Sequence, residues 1–400
     1  MDSRRTVLLL AACYALSVTS ISLTVAAAPI VGLALAPRAA LATLPISLQI
    51  LGTMAASLPA SLLMGRIGRR RGFQTGLVIG ALGAGAATAG IVTGRFWLFC
   101  VGSLGIGALN GFSQLYRFAA ADVAPDWRAR AISWVLAGGV VAGILGPALA
   151  SGAAGLLSAR FAGSYLAIIA LYLLVAVTLS MTRLPPPRLP QSDDAARPLA
   201  AIALRPRFLV AVLAAMTAYG TMSLIMTATP ISMQHAGHAF AVSAVVIQAH
   251  VVAMFAPSFF TGNLITRFGS ARVMGVGLAA LLGATIINVV GQSFGHFLGA
   301  LVLLGLGWNF LFVSGTTMVA SLHRPEETYK VQGLNDVLVF GTAAAGSFAA
   351  GSLSASIGWQ AMNAAAAPAL VLAAGALVAL ALLQRAAPGS AMASAAVQQR

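Results

Sequence analysis

The chain has 400 residues, of which 59% are hydrophobic and 8% charged, about a third of the charge that a water-exposed globular surface carries. A water-soluble globular fold is excluded on that ground. In a soluble chain the net charge of +15 would suggest nucleic acid, but in a membrane chain the placement of the basic residues matters more than their sum, and no nucleic-acid partner is expected.

Apolar stretches long enough to cross a hydrocarbon core of about 30 Å as helix are expected, in chain order, near 6–31, 40–64, 74–92, 97–123, 131–154, 160–181, 207–233, 239–265, 271–291, 295–320, 332–356 and 359–383. None alternates apolar and polar residues as a membrane barrel strand does, so each satisfies its backbone internally. The expected fold is an all-α membrane protein with twelve transmembrane helices, embedded in the lipid bilayer. Arg4 and Arg5 before the first stretch mimic a secretory signal, yet the stretch is long and eleven more follow, so it is read as a retained helix. Basic residues then fall on one side: Arg66 and Arg69 to Arg71, Arg128 and Arg130, the 183–207 segment, Arg267 and Arg272, Arg324 and Lys330, and Arg385. Only Arg38, Arg95 and Arg160 fall in the opposite loops, which puts both termini in the cytoplasm. Cys13 and Cys100 both lie in apolar segments and imply no disulfide framework.

The one long polar, proline-rich stretch, residues 183–206, falls near the middle and reads as a cytoplasmic linker between an N-terminal six-helix bundle, 1–182, and a C-terminal one, 207–384, with a cytoplasmic tail at 385–400. The halves repeat. Arg66 and Gly68 correspond, 201 positions on, to Arg267 and Gly269; Gly105, Gly107, Pro125, Asp126 and Arg130 map at a shift of 200 onto Gly305, Gly307, Pro325, Glu326 and Lys330. Such spacing implies an internal duplication whose halves rock about a midplane site, giving alternating access.

The turn of Arg66, Gly68, Arg69 and Arg70 between helices two and three, repeated in the second half, resembles the major facilitator superfamily along the whole chain. The family's usual loop is Gly-x-x-x-Asp-Arg-x-Gly-Arg-Arg. Here Ser61 stands for its first Gly and Gly65 for its Asp, so a usual part of the cytoplasmic gate is missing. Val101 occupies the place of a usual helix-four Arg. Gly146 and Pro147 fit the glycine-proline motif of exporting branches, while Ala142 stands where a Gly belongs.

Helix seven contains Met222 and Met226, and helix eight His250 and Met254; four-residue spacing puts each pair on one face. Thioether and imidazole donors suit Cu(I) better than Mg²⁺, Ca²⁺ or a bulky organic solute. Counted from the expected helix ends at about 1.5 Å per residue, Met222 and His250 fall at similar depth, roughly 16 Å from the outer ends. Composition alone gives roughly 0.4 Met-x-x-x-Met and roughly 0.16 His-x-x-x-Met pairs in such a chain, and each pattern occurs once. Methionine filling a helix core and a buried histidine are the structural alternative. Met233, His235 and His238, just outside helix seven, form either an outer capture site for metal or an ordinary loop. The four-residue pattern resembles the copper-importing, CcoA-like branch of the superfamily. That resemblance implies uptake of copper, as ion or small complex, across the bacterial inner membrane for assembly of cbb3-type cytochrome oxidase, with copper as cargo and no cofactor. The rival expectation is a proton-coupled exporter of small lipophilic or cationic organic compounds.

A charge inside a span is costly and marks a functional candidate. Asn110, Gln114 and Arg117 share a face of helix four, either as a polar cavity lining or with Arg117 snorkelling to the surface or pairing with Asp122. Asp122 matches the acid that closes helix four in the superfamily and usually pairs with the basic loop. Asp336, about one turn into helix eleven, is expected either to replace the acid missing at Gly65 by pairing with Arg66 or Arg69, or to be a helix-terminal acid favoured by the dipole. No catalytic constellation or GxxxxGK[ST] phosphate loop is present, so neither an enzyme nor an ATP-driven pump is expected.

Overall fold

A computed structural model of the chain describes residues 3–38, 41–42, 44–185 and 198–386. Half of the expected linker (186–197) and nearly all of the expected tail (387–400) lie outside the described residues. Among the described residues twelve helices are long and apolar enough to cross a membrane: α1 (Ser3–Leu35), α2 (Leu44–Ile67), α3 (Arg69–Val92), α4 (Phe96–Val123), α5 (Pro125–Gly152), α6 (Ala162–Ser180), α7 (Pro206–His235), α8 (Val242–Phe268), α9 (Ser270–Val290), α10 (Phe294–Leu322), α11 (Thr328–Ser354) and α12 (Ser356–Leu383). A five-residue helix, Leu199–Ala203, precedes α7.

The duplication is visible in backbone geometry. Gly68 ends α2 with φ 86° and ψ 155°, and Gly269 ends α8 with φ 84° and ψ 152°. Both values lie where a side chain is strained, so the sharp reversal into the next helix calls for glycine at both places. At the other end of each half's fourth helix, short 3-10 turns, Pro125–Trp127 and Pro325–Glu327, lead into α5 and α11. Glycine also sets helix spacing. A Cβ on Gly107 of α4 would lie 2.0 Å from the Gln49 carbonyl oxygen of α2, and one on Gly102 would lie 2.4 Å from the Ala87 nitrogen of α3. Close backbone approach of this kind replaces the hydrophobic driving force that is absent between helices in lipid.

Several helices are interrupted. Gln114 and Leu115 form a turn inside α4, between the helical segments Phe96–Ser113 and Tyr116–Val123. Pro257, which lacks an amide hydrogen, breaks α8 between Phe255 and Ser258.

The halves meet along two seams. α2 packs against α11, and the last part of α8 packs against the first part of α5. Both seams run toward the end of the bundle that carries the Gly68 and Gly269 turns. There Gly333 lies on Leu58, and Gly262 lies so close to Ala129 and Arg130 that a Cβ would meet backbone at 2.7 Å. Among the described residues α1 and α7 make no substantial contact. Near the opposite end, hydrogen bonds such as Thr227–Ser347, Ser232–Ser354 and His238–Gln292 stay within the second half. The bundle is therefore closed at the basic-loop end.

Candidate functional site

The turn inside α4 decides where Arg117 goes. It frees the Gln114 carbonyl, and the Arg117 guanidinium donates back to that oxygen and to Gln114 Oε1 at 3.2 Å. The side chain is thereby held sideways in the protein, fully buried, where it makes an ion pair with the fully buried Asp336 of α11. Asn335 Nδ2 donates to the same carboxylate at 2.8 Å. Of the expected alternatives for Arg117 the second fails: it does not snorkel, and Asp122 is not its partner. Asp336, likewise, does not pair with Arg66 or Arg69 and does not stand in for the acid absent at position 65.

From Arg117 a line of polar groups runs back to α2. Gln114 Nε2 donates to Asn110 Oδ1 and Asn110 Nδ2 to Thr53 Oγ1, each at 3.3 Å. Tyr14 of α1 also reaches Gln114. The shared face of Asn110, Gln114 and Arg117 is thus one connected network that crosses to α11.

Aromatic rings surround the ion pair. Arg117 lies 4.8 Å from the Phe312 centroid and 4.6 Å from that of Phe118. Phe312 stacks on Trp308 at 5.0 Å, and Phe255 of α8 meets Trp308 edge-on at 5.5 Å. Tyr219 of α7 stands edge-on to Trp308, Phe312 and Phe340, at 5.0 to 5.2 Å, and it alone of these is half-buried. Trp308 Nε1, Arg117 Nε and Asp336 Oδ2 are buried without a hydrogen-bond partner in the protein. Buried polar atoms are normally satisfied, so this floor combines flat apolar faces with unused hydrogen-bonding capacity. The sequence reading did not single out these rings. Their signal was the i, i+4 pair of Trp308 and Phe312 one turn from the repeated Gly305 and Gly307.

The basic turn forms a second cluster. Arg69, 2% exposed, donates through Nε (2.9 Å) and Nη2 (2.5 Å) to Asp122 Oδ2 and through Nη2 to Gln332 Oε1 at 2.9 Å, while its guanidinium lies 5.2 Å from the Tyr329 ring centroid. Asp122 therefore does pair with the basic turn. Ser61 donates to the Tyr329 carbonyl at 2.7 Å, and a Cβ on Gly65 would sit 2.8 Å from Tyr329 Cδ2. Tyr329 thus covers the place where the family's aspartate would stand. Arg70 donates to the Ser180 carbonyl at 3.2 Å, whereas Arg66 is exposed.

The expected metal residues lie on α7 and α8. His250 is fully buried, and its Nδ1 lies 2.8 Å from the Leu301 carbonyl of α10, while Nε2 has no partner. α7 reaches His235 and the helix of His250 begins at Phe240, which puts Met222 about 20 Å and His250 about 15 Å from those ends. Met222 and Met254 are buried and Met226 half-buried. The three expected outer residues differ in burial. Met233 is in the core, His235 is exposed, and His238 holds the Gln292 carbonyl at 3.0 Å against the Phe297 ring. Among the described residues no group of three or more His, Cys, Asp or Glu could hold a metal ion.

The model of the Major Facilitator Superfamily matches residues 10–256 and again 211–398. The chain belongs to this superfamily. It is 44% identical over 365 residues to the riboflavin transporter RfnT of Brucella anthropi, covering 90% of this chain and 92% of that protein. It is 32% identical over 343 residues to YdeG of Bacillus subtilis, described as an uncharacterized transporter of the superfamily, covering 81% of this chain and 80% of that one. Among solved structures, the superfamily transporter FucP in its outward conformation superposes with a TM-score of 0.74 at 19% identity, over 92% of this chain and 97% of that one. The superfamily fold read from the repeated basic turns is therefore the observed one, and the chain is a multi-pass membrane protein acting as a secondary transporter. The finer resemblance to the copper-importing branch has no counterpart in these relatives, the named one of which carries riboflavin in its name.

Proposed function

We propose that this transporter takes up riboflavin, or a solute with a similar planar heteroaromatic ring, and binds it against the aromatic floor around Arg117 and Asp336. The carrying observation is that floor: stacked and edge-on rings enclosing an ion pair, with Trp308 Nε1, Arg117 Nε and Asp336 Oδ2 free to hydrogen-bond. An isoalloxazine ring offers two flat faces for stacking, worth about 0.5–1.5 kcal/mol per pair beyond area burial, and a pyrimidine edge with one donor and several acceptors. Tyr219, the half-buried ring of the floor, meets Trp308 edge-on at 5.1 Å. The similarity to RfnT supports the same solute class.

Uptake by alternating access takes the basic-loop end as cytoplasmic, by the positive-inside rule, with both termini on that side of a bacterial inner membrane. Residues 1–182 and 207–384 are taken as the two bodies that rock.

Copper remains the second reading, on the spacing of Met222, Met226, His250 and Met254 and on the unused His250 Nε2. It is placed second because the similar protein RfnT is named for riboflavin.

A riboflavin-auxotrophic bacterium lacking its own carrier tests this proposal. Expression of the chain should restore growth at low riboflavin and accumulation of labelled vitamin, leaving cell copper unchanged. Copper accumulation that depends on His250, without riboflavin uptake, would reverse the order of the two readings.

A further inference from the structure

The two ionised side chains embedded in the middle of the bundle, Arg117 and Asp336, cancel. Every other charged residue in the described spans lies near a helix end, and the inner ones are already engaged: Arg69 is held by Asp122 and Gln332 at the closed end. Arg38, Arg95 and Arg160 lie in loops at the opposite end, outside the spans. An unpaired guanidinium in this place would be a phosphate receptor, since its planar fork matches two phosphate oxygens. Here that fork is occupied. One terminal nitrogen holds Asp336, the other holds Gln114 O and Oε1, and only Nε has no partner.

Building on the flavin reading above, we infer that the site admits flavin only in its unphosphorylated form and rejects riboflavin 5′-phosphate, with Asp336 enforcing the rejection by occupying and neutralising Arg117. Alternating access encloses the whole solute, not only its ring. A phosphate brings a charge of about −1.5 to −2, and among the described residues no free buried cation meets it along the path. Riboflavin carries no such charge and needs only hydrogen bonds and stacking. Asp336 is therefore a specificity residue as well as the partner that makes a buried arginine tolerable.

Quenching of flavin fluorescence by the purified full-length protein reads this directly, with riboflavin and riboflavin 5′-phosphate titrated in competition. The phosphate ester should compete roughly 100-fold more weakly, the scale of one uncompensated charge inside a membrane protein. In Asp336→Asn the site gains a net positive charge and the ratio should narrow by roughly tenfold. Adding Arg117→Gln makes the site uncharged again, and the wide ratio should return. Equal competition in the wild type, or a ratio identical in the single and double variants, overturns the inference while leaving riboflavin binding in place. If the wild type binds no riboflavin, the flavin reading falls and this inference with it. Should the variants fail to fold, the wild-type ratio alone decides.

Discussion

An arginine can leave a membrane span along its own aliphatic stem, and Arg117 does not. It lies six residues from the end of α4, close enough to reach the surface in an unbroken helix, but the turn at Gln114 and Leu115 redirects it inward. The sequence displayed the arginine and its polar neighbours; the turn was hidden because Gln and Leu carry no helix-breaking signal. Removing one member of a buried ion pair strands the other, at a cost of about 3–5 kcal/mol. Asp336→Ala should therefore lower the thermal stability of the solubilised protein markedly, and Arg117→Met in the same chain should return part of the loss. Trp308→Leu keeps an apolar side chain but removes the stacking face, and should weaken riboflavin binding by about tenfold in the quenching titration. His323, outside the spans, is half-buried beside the gate. Burial lowers its pKa from the ordinary 6.5; the Arg324 carbonyl and Asp122 act to raise it, and Arg69 and Arg128 to lower it. The closed gate thus holds it neutral, and opening, which rehydrates it, favours proton uptake. Stabilisation of the closed gate by this residue is complete above the ordinary value and lost as pH falls through the lowered one. Labelling of a single cysteine placed at the closed end should increase from about pH 8 to about pH 5, and His323→Asn should remove that part of the increase.

Between elements, the gate is a seam of small residues rather than a set of charges alone. Gly65 and Gly333 let α2 and α11 touch, and Gly262 lets α8 touch α5. At Gly262 a side chain would meet backbone atoms of Ala129 and Arg130, which cannot swing aside. Gly262→Val should wedge that seam open, shifting spin-label distances across the basic-loop end toward an open population while the opposite end closes. The departure of Gly65 from the family's acidic position was plain in the sequence. Its compensation was not, because Tyr329 lies 264 positions away and an aromatic ring carries no mark of pairing with a glycine. Asp122, by contrast, was legible because the acid closing helix four keeps its place relative to the basic turn.

Across the whole molecule, composition, basic-loop placement and the 200-residue repeat were enough to foresee twelve helices and the superfamily fold, since hydropathy and charge act over long windows and tolerate local error. Cargo was not legible in the same way. The spacing of Met222, Met226, His250 and Met254 put each pair on one helix face, yet the sequence could not tell which neighbour that face meets, and His250 meets α10. The rings that build the floor come from α4, α7, α8, α10 and α11 and converge only in the folded bundle. Solute counterflow in proteoliposomes reconstituted with the purified chain tests the central claim most directly. Vesicles preloaded with riboflavin should accumulate external labelled riboflavin transiently, and Trp308→Leu should slow that exchange. Vesicles that exchange no riboflavin, yet take up copper in a manner lost in His250→Ala, would contradict it.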